Sequence, residues 1–151
     1  MQCTENWRAE KRSRLQKQLK DYVIKVSASK KLLDSSIWIG YFLGNLPESK
    51  KIVDSEDILY VSIISLHEIY KRIEKLVNST AGEKAIDYIE NNCTILNLDK
   101  NIAIAAAKNC RKYGLHTLDS LIYTTAIKSK LEFITADYDF LKTPNTKVIK
   151  H

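Results

Sequence analysis

The stretch Lys31–Phe42, KLLDSSIWIGYF, carries a strand-to-helix transition with no spacer between the two parts. Lys31–Asp34 is a short apolar run that stops at an acid, which predicts a β-strand. Ser35 or Ser36 is the candidate cap of the next element, because a hydroxyl accepts from the orphan amides of a first helical turn. Ile37, Trp38, Tyr41 and Phe42 then fall on one helical face, and Gly44, Asn45 and Pro47 end the pattern. A strand running straight into a helix is the repeating unit of a parallel sheet.

The same succession recurs downstream. Ile58–Ser62 (ILYVS) is β-branched and aromatic, and reads as a second strand. A helix follows over 64–77, with Ile69, Ile73, Leu76 and Val77 on its apolar face and Lys71, Arg72 and Lys75 in solvent; Asn78 and Ser79 close it. A further helix is expected over 83–91, capped by Ser79 or Thr80, and a third strand over Thr94–Leu98. Asp99 is placed to cap a helix over 100–113, and Gly114 to end it. Thr117 is the candidate cap of a helix over 118–129, ahead of strands at Glu132–Thr135 and Lys147–Ile149. Strands alternating with helices give an α/β domain whose sheet is mainly parallel, and such sheets bind ligands beyond the carboxyl ends of their strands.

That rule selects among the acidic residues. Asp34 closes the first strand, and Asp137 lies two residues past the end of the fourth. Asp119 sits in the first turn of its helix, and Glu68 one turn into the helix after the second strand. Carboxylates gathered without His or Cys suit Mg²⁺ or Mn²⁺, hard cations that take oxygen ligands, and not zinc. Such a cation lowers the pKa of a bound water and polarises a phosphoryl oxygen, so a phosphodiester is the expected substrate class. Each acid also has a plainer reading as a turn, cap or surface residue.

Composition bounds the alternatives. With 151 residues the chain fits one domain of ordinary size. Three cysteines without a CxxC spacing argue against a disulfide framework or a zinc knuckle, and point to a reducing, cytoplasmic compartment. No stretch approaches the ~18 consecutive apolar residues of a membrane span. Only four glycines are present, and none builds a phosphate-cradling loop. The net charge of +6 lies wholly in residues 1–31, with nine Lys or Arg against three Asp or Glu; the remainder carries 15 of each. Residues 1–30 are therefore expected to form a basic helical extension and 31–151 the main domain. Within the extension, a helix over 8–27 lines up Leu15, Leu19, Tyr22, Val23 and Val26, with Arg12, Arg14, Lys17, Lys20 and Lys25 opposite and a short linker at 27–31. Packing of the apolar stripe on the domain or on a partner subunit is the favoured reading, beside RNA binding or a free surface arm.

Four blocks together resemble the motifs of PIN-domain nucleases, most closely the VapC-type toxins of toxin–antitoxin pairs. They are LLDSSIWIGYF (Leu32–Phe42), SIISLHEIYK (Ser62–Lys71), HTLDSLIYTTA (His116–Ala126) and FITADYDF (Phe133–Phe140), in the family's order. The resemblance implies a PIN-like three-layer α/β fold, with helices on both faces of the sheet. It implies a Mg²⁺- or Mn²⁺-dependent endoribonuclease, often a homodimer bound by a small antitoxin. It carries the catalytic acids onto Asp34, Glu68, Asp119 and Asp137, with metal held by Asp34, Asp119 and Asp137 and with Asp139 the second choice for the distal ligand. Ser36 and Thr135 fall where the family keeps supporting hydroxyls. The alternatives on this fold are an RNA-processing nuclease, and a module that binds RNA or protein without cutting.

Four further residues have a functional and a structural reading. His67 is expected to point away from Glu68, since sequence neighbours do not share a helical face. His116 precedes the Asp119 helix and is a candidate substrate contact. Trp38 and Tyr41 follow Asp34 and read first as packing residues, then as platforms for bases.

Overall fold

Leu32 and Leu33 are both fully buried, yet they belong to different cores. Neighbours on a strand face opposite sides of a sheet, so one strand can feed two hydrophobic layers. Phe133 and Ile134 divide in the same way. The computed structural model, which describes residues 2–150, builds these layers around five strands: β1 (Lys30–Leu33), β2 (Ile58–Ser62), β3 (Thr94–Leu96), β4 (Glu132–Thr135) and β5 (Thr146–Val148). All pairings are parallel, in the order β3-β2-β1-β4-β5. The expected mainly parallel sheet is thus parallel throughout, with strands that are apolar on both faces.

Helices cover both faces. Seven helices are described: α1 (Gln2–Ser27), α2 (Ser35–Leu43), α3 (Pro47–Val53), α4 (Ile63–Leu76), α5 (Ser79–Asn92), α6 (Lys100–Tyr113) and α7 (Thr117–Lys128), with a 3-10 turn at Tyr138–Lys142. On one face Leu33, Leu59, Val61 and Ile134 meet Ile37 and Trp38 of α2, Ile69 and Ile73 of α4, and Ile89 of α5. On the other face Leu32 and Phe133 meet Ile122, Tyr123 and Ala126 of α7, with Phe140 from the 3-10 turn. Each fully buried side chain of this size stabilises the fold by roughly 1.5–3 kcal/mol. The three-layer α/β architecture is the one expected from the sequence.

Several boundaries differ from expectation. Pro47 does not mark a simple stop: it is the first residue of α3, where its missing N–H is no loss. Asn78 does not close α4; it caps α5, its Oδ1 accepting from the Ala81 amide at 2.8 Å. Leu76 and Val77 are consequently about half exposed and do not join the core. The α2 cap position is Asp34, and Ser35 and Ser36 begin the helix. His116 holds the α7 cap position, and Thr117 is the first helical residue. β3 stops at Leu96 because Asp99 caps α6 through the Ile102 amide. The 3-10 turn is capped by Asp137, whose Oδ1 accepts from the Asp139 amide at 2.9 Å.

α1 starts earlier than expected, and β1 begins at Lys30, leaving only Ala28 and Ser29 between them. Its apolar stripe does not pack on the sheet layers: Leu15, Leu19, Tyr22, Val23 and Val26 are 49–68% exposed. No helix is long and apolar enough to cross a membrane, among the described residues. Trp38 is fully buried and Tyr41 bonds to Tyr88 and Asp54, so both serve packing as expected.

Candidate active site

The order β3-β2-β1-β4-β5 reverses direction between β1 and β4, and that gap is where an open parallel sheet leaves a crevice. Asp34 follows β1 there, and Thr135 ends β4 beside it. Pairing of the two strands is extended by the Asp34 amide, which donates to the Ile134 carbonyl at 2.9 Å. The register therefore fixes Asp34 against Thr135 before any side chain is considered.

Three hydroxyls then order the acids. Ser36 Oγ and Thr135 Oγ1 both donate to Asp34 Oδ2, at 2.7 and 2.8 Å. The same two oxygens accept from the β4–turn backbone: Ser36 from the Ala136 amide at 2.9 Å, Thr135 from the Asp137 amide at 3.0 Å. Ser35 Oγ donates to Glu68 Oε2 at 2.7 Å, while Asp34 Oδ1 lies 3.5 Å away. Ser36 and Thr135 thus tie Asp34 to the Asp137 segment, and Ser35 ties Glu68 to Asp34. Sequence reasoning placed Ser36 and Thr135 here but missed Ser35. Its signal was available: it follows an edge aspartate on the first helical turn, on a sheet edge already selected for ligands.

Electrostatics link all four acids. Asp34 is only 4% exposed, and burial pushes its carboxyl above the ordinary range against the pull of Ser36 and Thr135. The Ser35 and Ser36 amides also favour its charge, although neither makes a cap hydrogen bond of good geometry. Glu68 is raised by burial first, with the charge of Asp34 adding to it; Ser35, Lys71 and His67 oppose the shift without cancelling it. Asp119 is raised to about 6, by burial and then by the charges of Asp34, Glu68 and Asp137, with His116 opposing. Asp137 is among the charges that raise Asp119. His67 is exposed.

The chemistry of this donor set fits a hard divalent cation: oxygen donors only, with more negative charge than the neighbouring cations offset. The ring is loose. Among the described residues, no group of three or more His, Cys, Asp or Glu side chains is drawn together tightly enough to hold a metal ion as it stands. Mg²⁺ keeps several of its own waters, so a ring that reaches the ion partly through water suits it.

Comparison with known proteins bears on the family and the fold. The family model described as PIN domain matches residues 31–145. A toxin–antitoxin complex from Klebsiella pneumoniae is similar in fold, with a TM-score of 0.68 at 23% identity, covering 80% of this chain and 99% of that one. The VapC20 toxin of Mycobacterium tuberculosis, described as cleaving the sarcin–ricin loop, gives 0.65 at 13% identity over 77% and 95% of the two chains. VapBC2 from Rickettsia felis, bound to a DNA fragment from its promoter, gives 0.65 at 14% over 81% and 98%. No curated protein matches the chain significantly. The acids converge from the four blocks at the switch point of a parallel sheet, the family model spans most of the chain, and the fold is shared with VapC-type structures: this chain belongs to the PIN domain family.

Proposed function

We propose that this chain is a metal-dependent endoribonuclease that hydrolyses RNA phosphodiester bonds and acts as the toxin of a toxin–antitoxin pair. The observation that carries the reading is the gathering of acids at the switch point: Ser36 and Thr135 hold Asp34 beside the Asp137 segment, Ser35 bonds Glu68 next to it, and the charges of Asp34, Glu68 and Asp137 add to burial in raising Asp119. Membership of the PIN family and the toxin structures sharing its fold support the nuclease and toxin parts.

Asp34, Asp119 and Asp137 would hold Mg²⁺ or Mn²⁺, directly or through water, with Asp139 the alternative distal ligand. Bound there, the cation supplies Lewis-acid polarisation of the phosphoryl group and a water of lowered pKa. Ser36 and Thr135 aim Asp34 and favour its charged form, opposing the burial that raises its carboxyl. Glu68, fixed by Ser35, ligates or orients the attacking water. Residues 1–30 form a basic extension to a nuclease domain at 31–151. A cytoplasmic homodimer bound by a small antitoxin completes the proposal, in line with the toxin–antitoxin complexes among the similar structures.

Purified protein is to be incubated with mixed RNA in Mn²⁺, in Mg²⁺ and in EDTA. Cleavage is expected only with metal, and is expected to fall at least about a hundredfold in Asp119→Asn. Cleavage that persists in EDTA sinks the metal reading; RNA left intact under every condition sinks the nuclease reading.

A further inference from the structure

Beside the acids lies a groove of about 540 Å³, within the size range of small-ligand sites. Its floor is Ile39 and Leu46. Leu46 can seat there because Gly40 has no side chain: a Cβ at Gly40 would come within 2.6 Å of Leu46 Cβ. One wall is the Ala136–Asp139 segment, and Asn45, an exposed residue, also lines the groove. Tyr138 is 49% exposed and also lines it. The Asp137 cap on the Asp139 amide fixes the start of the turn that carries Tyr138. Ser36 and Asp137 border the groove and also belong to the acidic centre, so the two are continuous.

The lining selects its ligand. No Lys or Arg is among the residues that line it, so the groove has no cationic side chain for a second phosphate and does not track the charged backbone. It is lined by an aromatic ring, apolar side chains and one amide that both donates and accepts, the groups an unstacked base takes as partners. We propose that this groove is a nucleobase subsite: the base next to the scissile phosphate stacks on Tyr138, and Asn45 reads its edge. The assignment rests on the ribonuclease reading above and deepens it.

The test compares kcat and KM for RNA cleavage in wild type, Tyr138→Ala, Tyr138→Phe and Asn45→Ala, with circular dichroism to verify folding. Leu141→Ala, a 64% exposed residue outside the groove, is the control. Stacking on one aromatic side chain predicts that Tyr138→Ala raises KM about tenfold with little change in kcat. Tyr138→Phe keeps the ring and is expected to recover most of that loss. Asn45→Ala is expected to change the base preferred beside the cut. A Tyr138→Ala enzyme with wild-type KM and wild-type base preference overturns the subsite while leaving the nuclease intact. So does a loss confined to kcat, which would put Tyr138 in the chemical step. A wild type that neither binds nor cuts RNA overturns both proposals.

Discussion

The two ends of the parallel sheet treat a carboxylate in opposite ways. At the amino end Asp57 is opposed by burial, but hydrogen bonds from Lys31, Ser29 and Ser55 outweigh it and hold the carboxyl down at about 2. At the carboxyl end Asp119 has no such set of donors among the described residues, and burial with three like charges raises it to about 6. Both are aspartates beside strands of one sheet. The difference is what surrounds them: a compensated acid ties β1 to β2, whereas uncompensated acids store unfavourable charge that a cation would relieve. Charge is compensated at one edge and left uncompensated at the other.

The sharpest break between the edges is an activity comparison. Asp34→Asn is expected to lower RNA cleavage by at least about a hundredfold, since it removes a central charge while keeping shape. Asp57→Asn is expected to leave cleavage within about twofold once the protein is folded, because the side-chain hydrogen bonds of Asp57 among the described residues go to Ser29, Lys31 and Ser55 and not to the acids. Steady-state rates at saturating Mn²⁺ settle it; equal losses in the two variants would erase the distinction. A smaller effect is expected at Thr135, which is fully buried and donates to Asp34. Thr135→Val keeps the volume but removes the hydroxyl that joins Asp34 to the Asp137 amide. Loss of such a supporting contact predicts about 10–100-fold weaker metal affinity or activity, measurable by Mn²⁺ titration.

The acidic edge was legible in the sequence for a local reason. Strand β4 and helix α6 carry complete start and stop signals, with Asp99 capping α6 and Gly114 ending it at a φ of 70°. The sheet rule then picked out Asp34 and Asp137 from position alone. The amino edge was not legible, because Lys31 and Asp57 meet across 26 residues and nothing local marks either as the other's partner. Pro47 misled because proline both ends one helix and starts another, and only the backbone decides. Asn78 misled in the same way, since one polar residue can end α4 or cap α5. Ser35 escaped because its partner, Glu68, lies on another helix. The stripe on α1 was visible as a pattern, but its packing depended on a neighbouring surface that the sheet layers do not provide.

Stability should separate the edges with opposite signs. Asp57→Asn removes a partly buried carboxylate bonded to Lys31 and two serines, and is expected to lower unfolding free energy by about 1–2 kcal/mol at neutral pH. Its folded pKa lies below the unfolded value, so its contribution is complete above about pH 4. It is lost as pH falls through about 2. Urea titrations of both proteins should therefore converge at acid pH; a constant gap would mean that packing, and not charge, is responsible.

Asp119→Asn should go the other way. The folded pKa of Asp119, about 6, lies above its unfolded value, so the folded state binds the extra proton between the two. Ionised Asp119 then opposes folding, fully above about pH 6 and less as pH falls toward 4. Asparagine keeps the shape and drops the charge, so the variant is expected to be more stable than wild type by about 1 kcal/mol at pH 8. That figure is well below the full linkage value, because the carboxyl is partly exposed and water screens it. Near pH 4 the gain should vanish. Saturating Mg²⁺ should also narrow it, since a cation bound at the acids stabilises wild type by mass action and the variant less. A variant that is less stable than wild type at pH 8 would mean that the Asp119 carboxylate is already compensated, and the contrast between the two edges of the sheet would fail.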